Sequence, residues 1–363
     1  MNPYLETRNM ERQRVILISP GFTASIEDHN CLPYLQLYVR ELAGRGLDVQ
    51  VIALDYPFSR NAYTWRGISV QPCNGQNKRW RRPLTVWNAI RAGNRLIREA
   101  GDTQVVIHSF WLGWTSVVGE WLARRHGLKH ITTLMGQDVL PANSHWFKLL
   151  SNDWKKRLVV LSDFQNETLG KHFDFKAHHV IPWGVASTEI PSSLPDERPI
   201  DILGVGSQIG LKNWNLWLNT IKFALIKHPN IKAELIGDGP ERSHLEAKVR
   251  ELNLEQNVRI IGDLPRPQVL DKMRHAKLLL HTSNYESQAY VLSEAAMNGC
   301  QVVTTPVGIG PLMGFCAEDA AGLAKGIEMT LSSEGQAKPV TPFLLVDTAA
   351  SYADLYNQPH KNK

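Results

Sequence analysis

The sequence predicts an α/β protein of two doubly wound, Rossmann-like domains facing across a cleft. Short apolar runs alternate with helix-length segments, the alternation occurs twice, and a stretch that breaks it lies between. Apolar runs this short and continuous, separated by helices, read as parallel strands covered on both faces. In the first half these strands are 15–19, 49–54, 105–108, 131–134, 158–161 and 180–181, with a helix over 32–44. After Pro182-Trp183-Gly184, a Ser- and Pro-rich stretch interrupts the periodicity. The pattern restarts with strands at 202–206, 233–236, 258–261, 278–281 and 301–304, and helices at 214–226, 241–252, 268–274 and 290–297. The expected division is a first domain over 1–185, a linker over 186–199 and a second domain over 200–341.

Composition is that of a folded protein, with 43% apolar and 21% charged residues. No apolar run approaches the roughly 18 residues that span a bilayer, and the polar segment 1–14 lacks the apolar core of a secretion signal. Four scattered cysteines without a CxxC pair suggest reduced thiols and no metal site. Residues 1–190 carry seven more Lys and Arg than Asp and Glu, whereas 191–363 carry two fewer. No acid lies between Asp55 and Glu99, where Lys78, Arg79, Arg81, Arg82, Arg91, Arg95 and Arg98 accumulate. Such a patch favours anionic partners. From Pro83 onward Trp87, Ile90, Asn94 and Ile97 share a rough helical face, so 78–98 is a possible peripheral contact with an anionic membrane, with an ordinary packed helix as the simpler expectation. Trp111, Trp114 and Trp121 follow His108 at helical spacing and are expected in the core.

Glu286 and Glu294 stand where a strand runs into a helix. A carboxylate accepts several hydrogen bonds, so two of them suit two hydroxyl-bearing parts of one ligand, such as a ribose and a sugar. Gly204, Gly206 and Gly210 follow the first strand of the second half, with Lys212 before its helix. Close backbone approach, a helix amino terminus and a full positive charge suit a diphosphate, although a tight turn with a solvated lysine accounts for the same residues. The glycine spacing is not the dinucleotide fingerprint, which excludes a simple NAD site. Gly237-Asp238-Gly239-Pro240 alone is a turn.

In order, these segments resemble glycosyltransferase family 4, retaining nucleotide-sugar transferases of the GT-B fold. The resemblance rests on Gly206…Lys212, Gly237-Asp238-Gly239-Pro240-Glu241-Arg242, 257–262, Ser283…Glu286…Glu294-Ala295-Ala296…Gly299 and 302–310. Looser matches at His108-Ser109-Phe110-Trp111, Met135-Gly136-Gln137-Asp138, 161–164 and 180–185 extend it over most of 100–310. It implies that Lys212 binds the donor diphosphate, Glu294 the ribose hydroxyls, and Glu286 the transferred sugar. It further implies that backbone amides near Ala289 and Tyr290 hold phosphate or sugar, that Gly206 and Gly237 border the nucleotide, and that no metal or cofactor is needed. The first domain would offer the acceptor face around Gly21, His108 and Asp138, with His108 a candidate catalytic residue beside Lys212 and Glu286, and 342–363 would pack back on it. The expected partners are a nucleotide sugar and a glycan or lipid-linked acceptor, not nucleic acid. The expected setting is surface polysaccharide synthesis, cytoplasmic or at the inner face of the membrane. A nucleotide-sugar epimerase of the same fold, or a binding protein that has lost transfer, are the alternatives. The chain departs from the family pattern in three places: Ser207-Gln208 replaces an arginine, Ser287-Gln288-Ala289 a Gly-Phe-Gly, and Met135 a histidine.

Overall fold

The computed structural model describes residues 13–28, 31–332 and 338–359. The chain divides into two compact units, one holding the described residues up to Val160 with Thr168–Ile181 and the residues from Ala349 on, the other Leu161–Glu167 and Pro182–Thr348.

The first unit is built on an eight-stranded sheet in the order β3-β4-β2-β1-β5-β6-β7-β8. Its strands are β1 (Gln13–Gly21), β2 (Asp48–Tyr56), β3 (Tyr63–Trp65), β4 (Ile68–Pro72), β5 (Gln104–Phe110), β6 (Lys129–Thr133), β7 (Leu158–Val160) and β8 (His179–Val180). All neighbours pair in parallel except β3 with β4. Val15, Ile16, Leu17 and Ile18 are all fully buried, as a strand covered on both faces requires. The β3–β4 hairpin falls outside the expected strands because polar Tyr63-Thr64 and Ser69 interrupt its apolar run.

The second unit is built on a six-stranded parallel sheet, β11-β10-β9-β12-β13-β14. Its strands are β9 (Ile200–Val205), β10 (Ala233–Ile236), β11 (Val258–Gly262), β12 (Ala276–His281), β13 (Gln301–Thr304) and β14 (Phe315–Cys316). One core cluster packs Trp217, Leu218 and Ile221 with Leu235, Leu278 and Leu280, and a second packs Leu203 and Leu279 with Leu292 and Ala295. Helices therefore cover both faces of the sheet.

The expected boundaries shift. Pro182 to Val185 and the segment expected as a linker, 186–199, belong to the second unit. Arg198 fastens that segment by donating to Ala276 O (2.9 Å), Gly299 O (2.5 Å) and Asn298 O (3.2 Å). The closing helix Leu345–Asn357 contributes its first four residues to the second unit and the rest to the first.

Candidate active site

In both sheets the strand order reverses beside the first strand of its unit, between β1 and β5 and between β9 and β12. Crevices outside the carboxyl ends of strands at such switch points are where open α/β sheets bind ligands. In the second unit that position is occupied by the loops carrying Lys212 and Glu286.

β9 runs into Gly206, whose φ of +153° falls in a region open to glycine, then through a short turn to Asn213. Asn213 caps the helix Trp214–Ala224 by accepting from the Leu216 N–H at 3.3 Å. The β12 loop is stitched to this turn, because Asn284 N–H donates to Leu211 O (2.8 Å) and the Thr282 hydroxyl reaches Lys212 O (3.0 Å) and Asn213 O (3.1 Å). The Lys212 side chain crosses over Gly206, where an added Cβ would lie 3.3 Å from Cε, and its Nζ ends 2.5 Å from Glu286 Oε1. Glu286 also accepts from the Ser283 hydroxyl (2.8 Å) and lies 3.3 Å from His281 Nε2. Burial alone would raise this carboxyl, but His281, Lys212 and their hydrogen bonds bring it down to about 2. Lys212 and Glu286 are 19% and 15% exposed, so the pair is sheltered but reachable.

Just beyond, Ala289 takes a left-handed φ of 66° and begins the helix Tyr290–Met297 without a side-chain cap. Leu292 N–H closes the first turn by donating to Ala289 O (2.9 Å), and the positive end of the helix dipole favours phosphate or sugar oxygens there. Ala289 occupies a conformation that glycine adopts without strain, which accounts physically for the family's glycine there. Gln288, in place of the family's aromatic residue, is buried and acts as a clamp: its Oε1 accepts from Trp183 N–H (2.7 Å) and its Nε2 donates to Trp183 O (2.6 Å).

Glu294 is not a bare carboxylate. Arg266, the first residue of the helix Arg266–Arg274, donates to it at 2.9 Å and holds both oxygens of Glu189 on its other side. Burial raises the Glu294 carboxyl, Arg266 opposes that, and Glu189 adds to it. Sequence patterns alone single out neither Arg266 nor Glu189. Only the Pro265-Arg266 helix start hints at a cation there, and a residue in the supposed linker gives no signal.

The segment that lacks the family arginine closes on itself. Gln208 is fully buried, its Nε2 donates to Gly237 O (2.7 Å) and its backbone bridges Asp238 O and Glu241 N–H. Gly237 and Gly239 make this possible, since a Cβ on Gly237 would stand 2.0 Å from Gly206 O and one on Gly239 2.5 Å from Gln208 O.

In the first unit the expected site residues fare differently. Gly21 ends β1 at the switch point and is buried against Tyr56. His108 does not face a ligand: it is fully buried, with Nδ1 2.6 Å from the Tyr356 hydroxyl and Nε2 2.8 Å from the Thr133 hydroxyl. Burial, reinforced by the nearby His130, holds its pKa well below the ordinary histidine value, and it serves the core rather than catalysis. Asp138 is also turned inward. Its carboxylate accepts from Leu112 N–H (2.7 Å) and Gly136 N–H (2.9 Å), tying the β5 and β6 loops together, and burial raises it to about 6 despite these amides. Trp111, with a left-handed φ of 63°, sits next to Gly136 on that latch. Trp114 and Trp121, expected in the core, are 40% and 42% exposed.

Residues 32–181 match the family model described as "Glycosyl transferase 4-like domain" and residues 186–324 that described as "Glycosyl transferases group 1". The chain belongs to this family, the GT-B glycosyltransferases of the GT4 type. The 2-deoxystreptamine N-acetyl-D-glucosaminyltransferase of Niallia circulans is 27% identical over 158 residues, 44% of this chain and 39% of that protein. The poly(ribitol-phosphate) alpha-N-acetylglucosaminyltransferase of Staphylococcus aureus is 24% identical over 192 residues, 52% of this chain and 38% of that protein. The chain thus spans well under half of the length of these relatives. Among solved structures, sucrose-phosphate synthase from Thermosynechococcus elongatus superposes with a TM-score of 0.70 at 18% identity, covering 96% of this chain and 99% of that one. That likeness concerns the fold alone.

Proposed function

We propose that this chain is a retaining, metal-independent glycosyltransferase that moves a sugar from a nucleotide-diphosphate donor to a glycan or lipid-linked saccharide during surface polysaccharide or glycolipid synthesis. The Lys212–Glu286 pair at the switch point of the second unit carries the reading. The donor diphosphate lies against Lys212 and the amino terminus of the helix Tyr290–Met297, its ribose meets Glu294 beside Arg266, and Glu286 faces the sugar. Cationic and amide donors aimed at a leaving diphosphate supply the charge stabilisation that a metal gives elsewhere. In the transfer, an acceptor oxygen bonds the anomeric carbon on the face the diphosphate leaves. The carbon–oxygen bond to phosphate breaks, its electron pair stays on the diphosphate, and a phosphate oxygen takes the acceptor's proton. Relatives named as N-acetylglucosaminyltransferases make UDP-N-acetylglucosamine the first donor to test. Calorimetry with UDP-, GDP- and ADP-sugars tests the proposal: Lys212→Ala should weaken binding of the preferred donor by about 10- to 100-fold, and unchanged affinity rejects it.

A second reading, a nucleotide-sugar-binding protein without transfer, is favoured by the inward-turned Gln208, which leaves the arginine's charge unreplaced within that segment. Donor binding with no sugar release or transfer across an acceptor panel would establish it.

A further inference from the structure

The first unit carries a surface that the donor chemistry does not use. The helix Arg82–Glu99 packs Ile90 and Ile97 partly against the core, as its sequence suggested, but not Trp87. It turns Thr85, Ala89, Gly93 and Leu96 inward and leaves Trp87 54% exposed. Small residues explain the choice: a Cβ on Gly93 would lie 2.3 Å from Leu122 Cδ1, so the helix Trp114–His126 nests against its neighbour there. His126 Nε2, 2.7 Å from Asn94 Oδ1, ties the same two helices. Both bury residues in one core cluster, Ala89 and Leu96 from the first with Val118 and Leu122 from the second. Their remaining sides therefore look out from the same face of the sheet.

That outer face is a set of tryptophans, each covered by a guanidinium. Arg81 lies 4.9 Å from the Trp80 ring, Arg91 5.4 Å from Trp87 and Arg125 5.6 Å from Trp121. Trp80 is 72% exposed, and Leu84 is exposed beside it. Arg82 and Arg95 have carboxylate partners, Asp55 and Glu99. Among the described residues no carboxylate lies within ion-pair distance of Lys78, Arg79, Arg91, Arg98 or Arg125. Unneutralised cations interleaved with exposed indoles suit the headgroup zone of an anionic bilayer. There each Lys or Arg near the surface adds electrostatic attraction and indole rings sit at the polar–apolar boundary. No described helix is long and apolar enough to cross a membrane, so contact would lie in the plane of the surface.

We propose that the Trp80, Trp87 and Trp121 face, with its surrounding arginines, docks the first unit on an anionic lipid surface. The segment 78–82 leaves β4 at the carboxyl edge of the sheet, the edge at which Gly21 ends β1. Docking would bring a lipid-borne acceptor to that edge. This consequence rests on the transferase reading, whereas the docking itself does not.

Sedimentation of the whole protein with vesicles of phosphatidylcholine, alone or mixed with phosphatidylglycerol, tests it. Binding to the mixed vesicles only, weakened by salt and reduced about tenfold or more in Trp87→Ala/Trp121→Ala, is the expected result. Phe223→Ala/Ile226→Ala, which removes exposed apolar groups from the second unit, should bind like the parent. Equal binding to neutral vesicles, no loss in the tryptophan double variant, or preferential capture by duplex DNA of similar charge would overturn the assignment. Donor affinity measured on the same samples separates the two ideas, since vesicle binding by a protein that ignores nucleotide sugars sinks only the transferase reading.

Discussion

Lys212 and Glu286, 74 positions apart in the chain, meet at 2.5 Å where the loops leaving β9 and β12 converge. Neighbouring parallel strands bring the loops together, and hydrogen bonds from Thr282 and Asn284 lock them in register. A cation and an anion placed side by side at a switch point can divide one ligand between them, phosphate to one and sugar hydroxyls to the other. Lys212→Ala should weaken nucleoside diphosphate binding by about 10- to 100-fold, the scale of one charge-assisted contact. Glu286→Gln should leave that affinity within about threefold while sugar transfer falls by about 100-fold, an effect on the chemical step rather than on binding. Calorimetry and turnover on the two variants decide it; a reversed pattern would exchange the roles.

Arg266 bridges Glu189 and Glu294, so its removal leaves two carboxylates facing each other without a counter-charge. Arg266→Ala should cost about 3–5 kcal/mol of stability, typical of breaking a sheltered ion pair. It should also weaken nucleoside diphosphate binding less as the pH falls, because Glu294, whose carboxyl burial already raises, then takes up a proton and relieves the repulsion. A loss of affinity independent of pH would mean that Glu294 does not need the guanidinium to meet the ribose.

Much of this was legible in the sequence, for reasons that differ by residue. Strands such as 15–18 announce themselves because burial on both faces forbids polar residues. The positions of Lys212 and Glu286 in loops at the carboxyl ends of strands were legible from the apolar runs before them, whereas their 2.5 Å contact was not. His108 misled because a polar residue at a strand end looks the same whether it meets a ligand or a buried tyrosine. Its partner Tyr356 arrives from 248 residues away, beyond any local pattern. Ile90 and Ile97 pack against the core as their helical spacing suggested, but Trp87 was misplaced for the opposite reason. Hydrophobicity pointed to Trp87, whereas close packing chose Ala89 and Gly93, and only the neighbouring Leu122 reveals that choice.

Two carboxyls set the acid limit. Burial would raise Glu120, but hydrogen bonds from His130 and Arg124 and the charge of Arg157 bring it to about 2, as Glu286 is brought by its own partners. Both folded values lie below the ordinary 4.5. The stability they contribute is therefore complete above about pH 4.5 and drains away as the pH falls toward 2. Urea midpoints taken down a pH series should drop through that window, and Glu120→Gln or Glu286→Gln should each flatten the slope. Parallel slopes in parent and variants would show that neither carboxylate is held as described.

The close contact between the β9 and β10 loops is the most exposed to test, because it depends on an atom that is not there. Gly237 has a φ of +128°, and an added Cβ would lie 2.0 Å from the backbone oxygen of Gly206, the residue over which Lys212 passes. Backbone cannot yield as a flexible side chain would, so Gly237→Ala has to part the two loops. A loss of about 2–4 kcal/mol is expected, with weaker nucleoside diphosphate binding alongside. Gly44, the last residue of the helix Pro33–Gly44, provides the contrast, since nothing lies within 4 Å of its added Cβ. Gly44→Ala should be neutral or stabilise by up to about 1 kcal/mol through helix propensity. Urea denaturation of the two variants in parallel separates them: if Gly237→Ala is as harmless as Gly44→Ala, the loops do not touch and the Lys212 site loses its floor.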